Sequence, residues 1–167
     1  MKKMTEENLK ASFAGESQAH VKYLAFAERA EREGLPNVAR LFRAASFAEQ
    51  VHATRHLQVL KGIGSTLDNL SAAIDGETFE FEEMYPSYMA VADAQGESTA
   101  FKSMQRANEA EKVHAQLYTR AKEAAAASRD VEMGPVVVCQ ACGYTAEGEA
   151  PDKCPLCGAS KERFSKF

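Results

Sequence analysis

The strongest constraint on this chain is a hexapeptide it uses twice: Ala48-Glu49-Gln50-Val51-His52-Ala53 and Ala110-Glu111-Lys112-Val113-His114-Ala115. Each copy sits inside a long stretch with helical periodicity. On a helix, a Glu and a His three residues apart share one face about one turn apart, so both can reach a single metal ion. Glu49 and Glu111 lie 62 positions apart. The repeat therefore predicts a pair of metal ions held between two related helical hairpins.

At 167 residues the chain has room for one ordinary domain and a small appendage. Its net charge of -4 is mild, and Lys and Arg are scattered among Glu, which argues against a nucleic-acid partner. No apolar run follows Lys2 and Lys3, and none elsewhere has the length to span a bilayer. These features predict a cytoplasmic protein without membrane or nucleic-acid contacts. All four cysteines lie between Cys139 and Cys157, a spacing that suits metal binding in a reducing compartment better than disulfides.

Helical signals run from Thr5 to about Ser128. Thr5 reads as an N-cap ahead of Glu6 and Glu7, and Gly34-Leu35-Pro36 separates a first helix from a second that ends at Lys61-Gly62. The connection from Gly62 to Gly76 is expected to hold a short helix that starts at Ser65 and ends by Ala73. A third helix from Glu77 to Ala94 is expected to kink at Pro86, and a fourth runs from Ser98 to about Ala127. Gly134-Pro135 marks a linker, so the expected domains are a helical segment over 1–132 and a cysteine module over 133–167. The halves look duplicated, with Tyr23-Leu24-Ala25-Phe26-Ala27 echoed by Tyr88-Met89-Ala90-Val91-Ala92. The fold class predicted is an all-α four-helix bundle of the ferritin-like type with one long crossover, followed by a small module of short strands and knuckles.

A di-iron carboxylate site in such a bundle takes a Glu from each of two helices and a Glu-x-x-His pair from each of the other two. Glu16, amid Phe13, Ala19 and Tyr23, and the i,i+3 pair Glu80 and Glu83 are the candidates beside Glu49-His52 and Glu111-His114. Carboxylates with imidazoles suit iron or manganese. Glu77, Glu82 and Glu109 are expected to project elsewhere as surface charges, and His20 and His56 to be structural or exposed.

Cys139-x-x-Cys142 and Cys154-x-x-Cys157 form two knuckles, a spacing that signals a tetrahedral thiolate site. Each continues with a glycine, Gly143 or Gly158, which lets backbone amides turn toward sulfur. Taken alone, the module reads equally as a structural zinc ribbon. A neighbouring di-metal site favours iron, because zinc cannot change oxidation state.

Phe13-Ala14-Gly15-Glu16-Ser17, Ala48 to Ala53, Gly76-Glu77-Thr78-Phe79-Glu80-Phe81-Glu82-Glu83-Met84-Tyr85-Pro86, Ala110 to Ala115 and Cys139-Gln140-Ala141-Cys142-Gly143-Tyr144 resemble the rubrerythrins, over nearly the whole chain. The resemblance implies a di-iron bundle followed by a rubredoxin-like domain with one iron on Cys139, Cys142, Cys154 and Cys157. It also implies a peroxidase that reduces hydrogen peroxide to water, with electrons from an NAD(P)H-dependent reductase or a rubredoxin. Carried onto this chain, Glu49 and Glu111 would bridge the irons, Glu16 and Glu83 would hold one, and Glu80 with His114 the other. On reduction Glu83 would give way to His52. Tyr23 and Tyr88 match tyrosines that hydrogen-bond around the cluster, although plain packing of their rings is an equal reading.

The fourth helix runs about fourteen residues, roughly 20 Å, past His114 before the linker begins. A module that far from its own His114 predicts a head-to-tail homodimer in which it serves the partner's site. The chain also resembles rubrerythrins that exchange helix pairs between subunits. Rival readings are a ferroxidase, an iron-storage protein, and a scaffold carrying a structural zinc ribbon.

Overall fold

The helices follow from spacing and caps. In the computed structural model, which describes residues 1–167, α1 (Lys3–Arg32) and α2 (Pro36–Val59) form a hairpin. A third rod comprises α3 (Thr66–Phe79), a π turn (Glu80–Met84) and α4 (Tyr85–Ala94), and α5 (Ser98–Ala126) is the fourth. Three short strands follow: β1 (Val136–Cys139), β2 (Thr145–Glu147) and β3 (Phe164–Lys166). This is the expected class, four helical rods and then a small module of strands and knuckles. No helix is long and apolar enough to cross a membrane.

The chain divides into two compact units, Met1–Gly64 and Ser65–Phe167. In the first, α1 and α2 meet through small residues, with Ala27, Ala30, Ala39, Ser46 and Ala53 all buried. Small side chains at the contact let helix axes approach closely. Ser46 cross-links the pair: its hydroxyl donates to the His20 carbonyl at 2.9 Å, and His20 Nδ1 donates to the Ser46 carbonyl at 2.9 Å. His20 is thus structural, as expected.

Two helix expectations need correction, and a third acquires a local detail. Thr5 is not the first cap, because the Glu6 amide already bonds the Lys2 carbonyl at 3.0 Å and α1 begins at Lys3. The expected short helix and third helix are one continuous rod. Ser65 caps it through a reciprocal box with Asp68, and the helix passes straight through Gly76. Pro86, expected to mark a kink, follows a π turn in which the Tyr85 amide reaches back to the Glu80 carbonyl. Proline has no N–H to give, so a wider turn just before it accommodates the missing donor.

In the second unit α5 packs against α3, the π turn, α4 and β2. The sheet is antiparallel in the order β2-β1-β3, with Val137 opposite Ala146 and Val138 opposite Ser165. Val137 and Cys139 face inward and are buried. The strands thus anchor the first knuckle from behind.

Candidate metal centres

Each Glu-x-x-His pair closes on itself by helical geometry and then gathers one carboxylate from the neighbouring helix. In the first unit His52 Nδ1 lies 3.0 Å from Glu49 Oε2 and 3.8 Å from Glu16 Oε1. In the second, His114 Nδ1 lies 2.7 Å from Glu111 Oε2 and 3.8 Å from Glu77 Oε1. In each triad the three donor atoms lie within 4.8 Å of one another. The two arrangements are the same motif used twice.

Crowded carboxylates show their strain in protonation. Glu16 is raised above its ordinary value by sharing a hydrogen bond with Glu49, which is lowered by the same contact and by His52. Glu77 is pushed up to about 7, first by burial and then by the charge of Glu111. Burial, then Glu111, also raises Glu80. Acidic groups held this close with a histidine but no lysine or arginine among them call for a cation to neutralise them. Three donors of oxygen and imidazole type fit iron or manganese, so each triad has the chemistry to hold such an ion.

The triads differ in cover. The His52 side chain is 55% exposed and that of His114 27%. Thr145 at the head of β2 lies against His114, its Oγ1 2.7 Å from Nε2. The cysteine module therefore turns back along α5 instead of lying a helix length beyond His114, which corrects the expectation drawn from helix rise. Arg120 on α5 pairs with Glu147 on β2, and Glu147 also accepts the Gly134 amide at 2.7 Å.

That anchor has a pH signature. The Gly134 amide, followed by Arg120, holds the Glu147 carboxyl below its ordinary 4.5. A lowered carboxyl stabilises the docked state above its unfolded value, and the contribution is lost as pH falls through the folded value. The Gly134 amide proton should titrate in NMR with a midpoint below 4.5 that moves upward in Arg120→Ala. A midpoint at or above 4.5 would contradict the contact.

Other expected site residues are placed differently. Glu83 is exposed and outside both triads, and Tyr88 is 52% exposed. Glu77, expected to point away, completes the second triad, and Tyr85 takes the place foreseen for Tyr88. Burial raises the Tyr85 phenol, followed by the charges of Glu80, Glu111 and Glu77, so it stands as a neutral O–H beside the carboxylates. Tyr23 packs against Phe26 and Phe42 with ring centroids 6.2 and 6.0 Å away. Glu82 is exposed, and Glu109 pairs with Lys112 at 2.6 Å.

A signal for Glu77 and Tyr85 was present in the repeat. Gly15-Glu16-Ser17 recurs as Gly76-Glu77-Thr78 at an offset of 61, and Tyr23 recurs as Tyr85 at an offset of 62. The π turn lies between the two members of the second set and supplies the extra residue.

The four cysteines converge. Cys139 Sγ lies 3.7 Å from Cys157 Sγ, and Cys142 Sγ 3.6 Å from Cys154 Sγ. A tetrahedron with metal–sulfur bonds of about 2.3 Å has edges of about 3.8 Å, so the thiols fit a single ion. Gly143 and Gly158 have φ of +79° and +75°, the left-handed geometry that closes each knuckle. Burial would raise Cys154, yet the amides of Cys157 and Leu156 and two neighbouring thiols outweigh it and bring it to about 7. Burial pushes Cys142 up to about 12, so without a cation the thiolate settles preferentially at Cys154.

Comparison with known proteins agrees with this geometry. The family model described as Rubrerythrin matches residues 7–122, and that described as Rubrerythrin, rubredoxin-like domain matches residues 138–165. Rubrerythrin-2 of Clostridium acetobutylicum is 39% identical over 178 residues, covering 98% of this chain and 97% of that one. Nigerythrin of Nitratidesulfovibrio vulgaris is 34% identical over 177 residues, covering 98% and 86%. A solved structure titled "Fully reduced state of nigerythrin (all ferrous)" superposes with a TM-score of 0.57 at 34% identity, covering 98% of this chain and 86% of that chain.

Proposed function

Because the chain belongs to the rubrerythrin family, whose members are generally oxidoreductases, we propose that it is a peroxidase that reduces hydrogen peroxide to water as a defence against oxidative stress. The observation that carries the reading is the matched pair of triads, Glu16-Glu49-His52 and Glu77-Glu111-His114, joined by a four-thiol site in the same chain. We assign the triads, with Glu80, to a pair of iron ions, and the cysteines to a single iron. In place of Glu83, a candidate by spacing and by resemblance, we assign Glu77 beside Glu80, and in place of Tyr88 we assign Tyr85.

Bound iron would supply the two electrons that cleave the O–O bond. The residues supply the rest. Glu49 and Glu111 each sit between a carboxylate from the adjacent helix and an imidazole, and would hold the ions from that position. Tyr85 offers a neutral O–H beside Glu77 and Glu80, a donor to oxygen that carries developing charge. His52 is the more exposed of the two histidines, held in its triad only through Nδ1. It is therefore the residue we assign to the ligand exchange that the family resemblance implies. The four-thiol site, with iron, would pass on electrons one at a time from a reductase or rubredoxin.

Val21, Leu41, Phe47 and Val51 are each more than half exposed on the α1–α2 hairpin, an apolar surface of the kind that marks a protein contact. It supports a homodimer, with helix exchange as one way to build it.

Chemically reduced, iron-loaded protein should consume one equivalent of peroxide per iron pair and show a dimer mass in light scattering. In His52→Ala, turnover should fall by about tenfold or more, as when a partner of a metal site is removed. Zinc-only protein inert to peroxide would overturn the reading in favour of a scaffold. Rapid oxygen-driven Fe(II) oxidation with no peroxide consumption would favour a ferroxidase.

A further inference from the structure

We infer that Thr145, a residue of the cysteine module, is the positioning residue of His114: it fixes which imidazole nitrogen faces the carboxylates and ties the module to that triad within one chain. The inference rests on the metal reading of the triad. Thr145 is 5% exposed, and its hydroxyl has a single proton. That proton goes to the Gly143 carbonyl, which lies 3.0 Å from Oγ1. Toward His114 Nε2, at 2.7 Å, the hydroxyl can then only accept. Nε2 must therefore carry the hydrogen, and in the neutral ring Nδ1 is left with its lone pair.

Nδ1 is the atom that faces Glu111 Oε2 at 2.7 Å and Glu77 Oε1 at 3.8 Å. A lone pair opposite two carboxylate oxygens needs a proton or a metal ion among them, and on the metal reading the ion takes that place. Thr145 thus holds the ring in the tautomer and plane a metal ion requires, the service a carboxylate or carbonyl commonly gives a ligating histidine. His52 has no such partner, since it meets Glu49 and Glu16 through Nδ1 alone. The two triads, alike in their donors, are therefore unlike in rigidity.

The contact also links the centres mechanically. Gly143, whose carbonyl takes the Thr145 proton, directly follows Cys142 and closes the first knuckle with its amide on the Cys139 carbonyl at 2.9 Å. A shift of that knuckle moves the hydroxyl on which His114 leans.

The test uses the full chain loaded with zinc, a diamagnetic ion, and compares wild type with Thr145→Val and Thr145→Ser. In wild type and Thr145→Ser, His114 should show an exchange-protected Nε2–H resonance and a metal-shifted Nδ1. In Thr145→Val the Nε2–H signal should be lost to exchange, and zinc affinity at the His114 triad should fall by about 10- to 100-fold. Zinc retained on the four cysteines reports that the module is still folded. If wild type binds zinc at His114 and Thr145→Val matches it in both protection and affinity, the inference is wrong. If zinc leaves His114 unshifted in wild type, the metal reading falls, and this inference with it.

Discussion

Glu77→Ala should cost the bundle one of its metal ions and cut peroxide turnover by about 100-fold or more, while Glu83→Ala should remain within about twofold of wild type. The contrast is a direct consequence of placement. Glu77 Oε1 lies 3.8 Å from His114 Nδ1 in a triad with Glu111, and Glu83 is an exposed residue of the π turn. Losing a residue that merely orients a ligand commonly costs 10- to 100-fold, so loss of a ligand itself should cost at least as much. Removing Glu77 also removes the group whose burial and crowding by Glu111 raise it to about 7, so the apo protein should lose no stability from the change. Iron content by emission spectroscopy, read beside turnover, checks both halves. Equal metal loading in Glu77→Ala and wild type, or a large loss in Glu83→Ala, would return the assignment to the Glu80-Glu83 pair.

The reason that pair looked right from sequence lies in backbone geometry. Glu77, Glu80 and Glu83 fall at successive i,i+3 positions, and on an ideal helix each neighbouring pair is an equally good two-carboxylate donor. Periodicity cannot choose between them. The π turn over Glu80–Met84 breaks the even spacing, rotates Glu83 away from the triad and brings Tyr85 beside the carboxylates. The Glu49-x-x-His52 and Glu111-x-x-His114 pairs were legible because both members sit in unbroken helix, where spacing fixes facing. The cysteine knuckles were legible for a related reason, since a Cys-x-x-Cys-Gly turn is local and self-closing. Docking of the module was not legible. Helix rise measures how far α5 extends, and only packing decides that β2 folds back to set Thr145 on His114 and Glu147 on Arg120.

Cys157→Ser should reduce turnover driven by an external reductase by about 100-fold or more, while pre-reduced protein still carries out one round of peroxide reduction. Both effects follow from a division of labour between separate donor sets. The four thiols sit with Cys139 and Cys157 Sγ 3.7 Å apart, and a hydroxyl in place of one thiol breaks the sulfur tetrahedron an iron needs to cycle between oxidation states. Neither triad includes a cysteine, so electrons already stored there remain available. The fold of the module should largely survive, because Cys157 is only half-buried while Cys139 and Cys154 carry the interior positions. Stopped-flow absorbance separates the two: the four-cysteine band should be lost, with the single-turnover oxidation rate within about twofold of wild type. Unchanged steady-state turnover would mean that electrons reach the bundle without the module. Loss of the single turnover as well would mean that the cysteine site holds the His114 triad together rather than feeding it, a result that the Thr145→Val variant would then have to share.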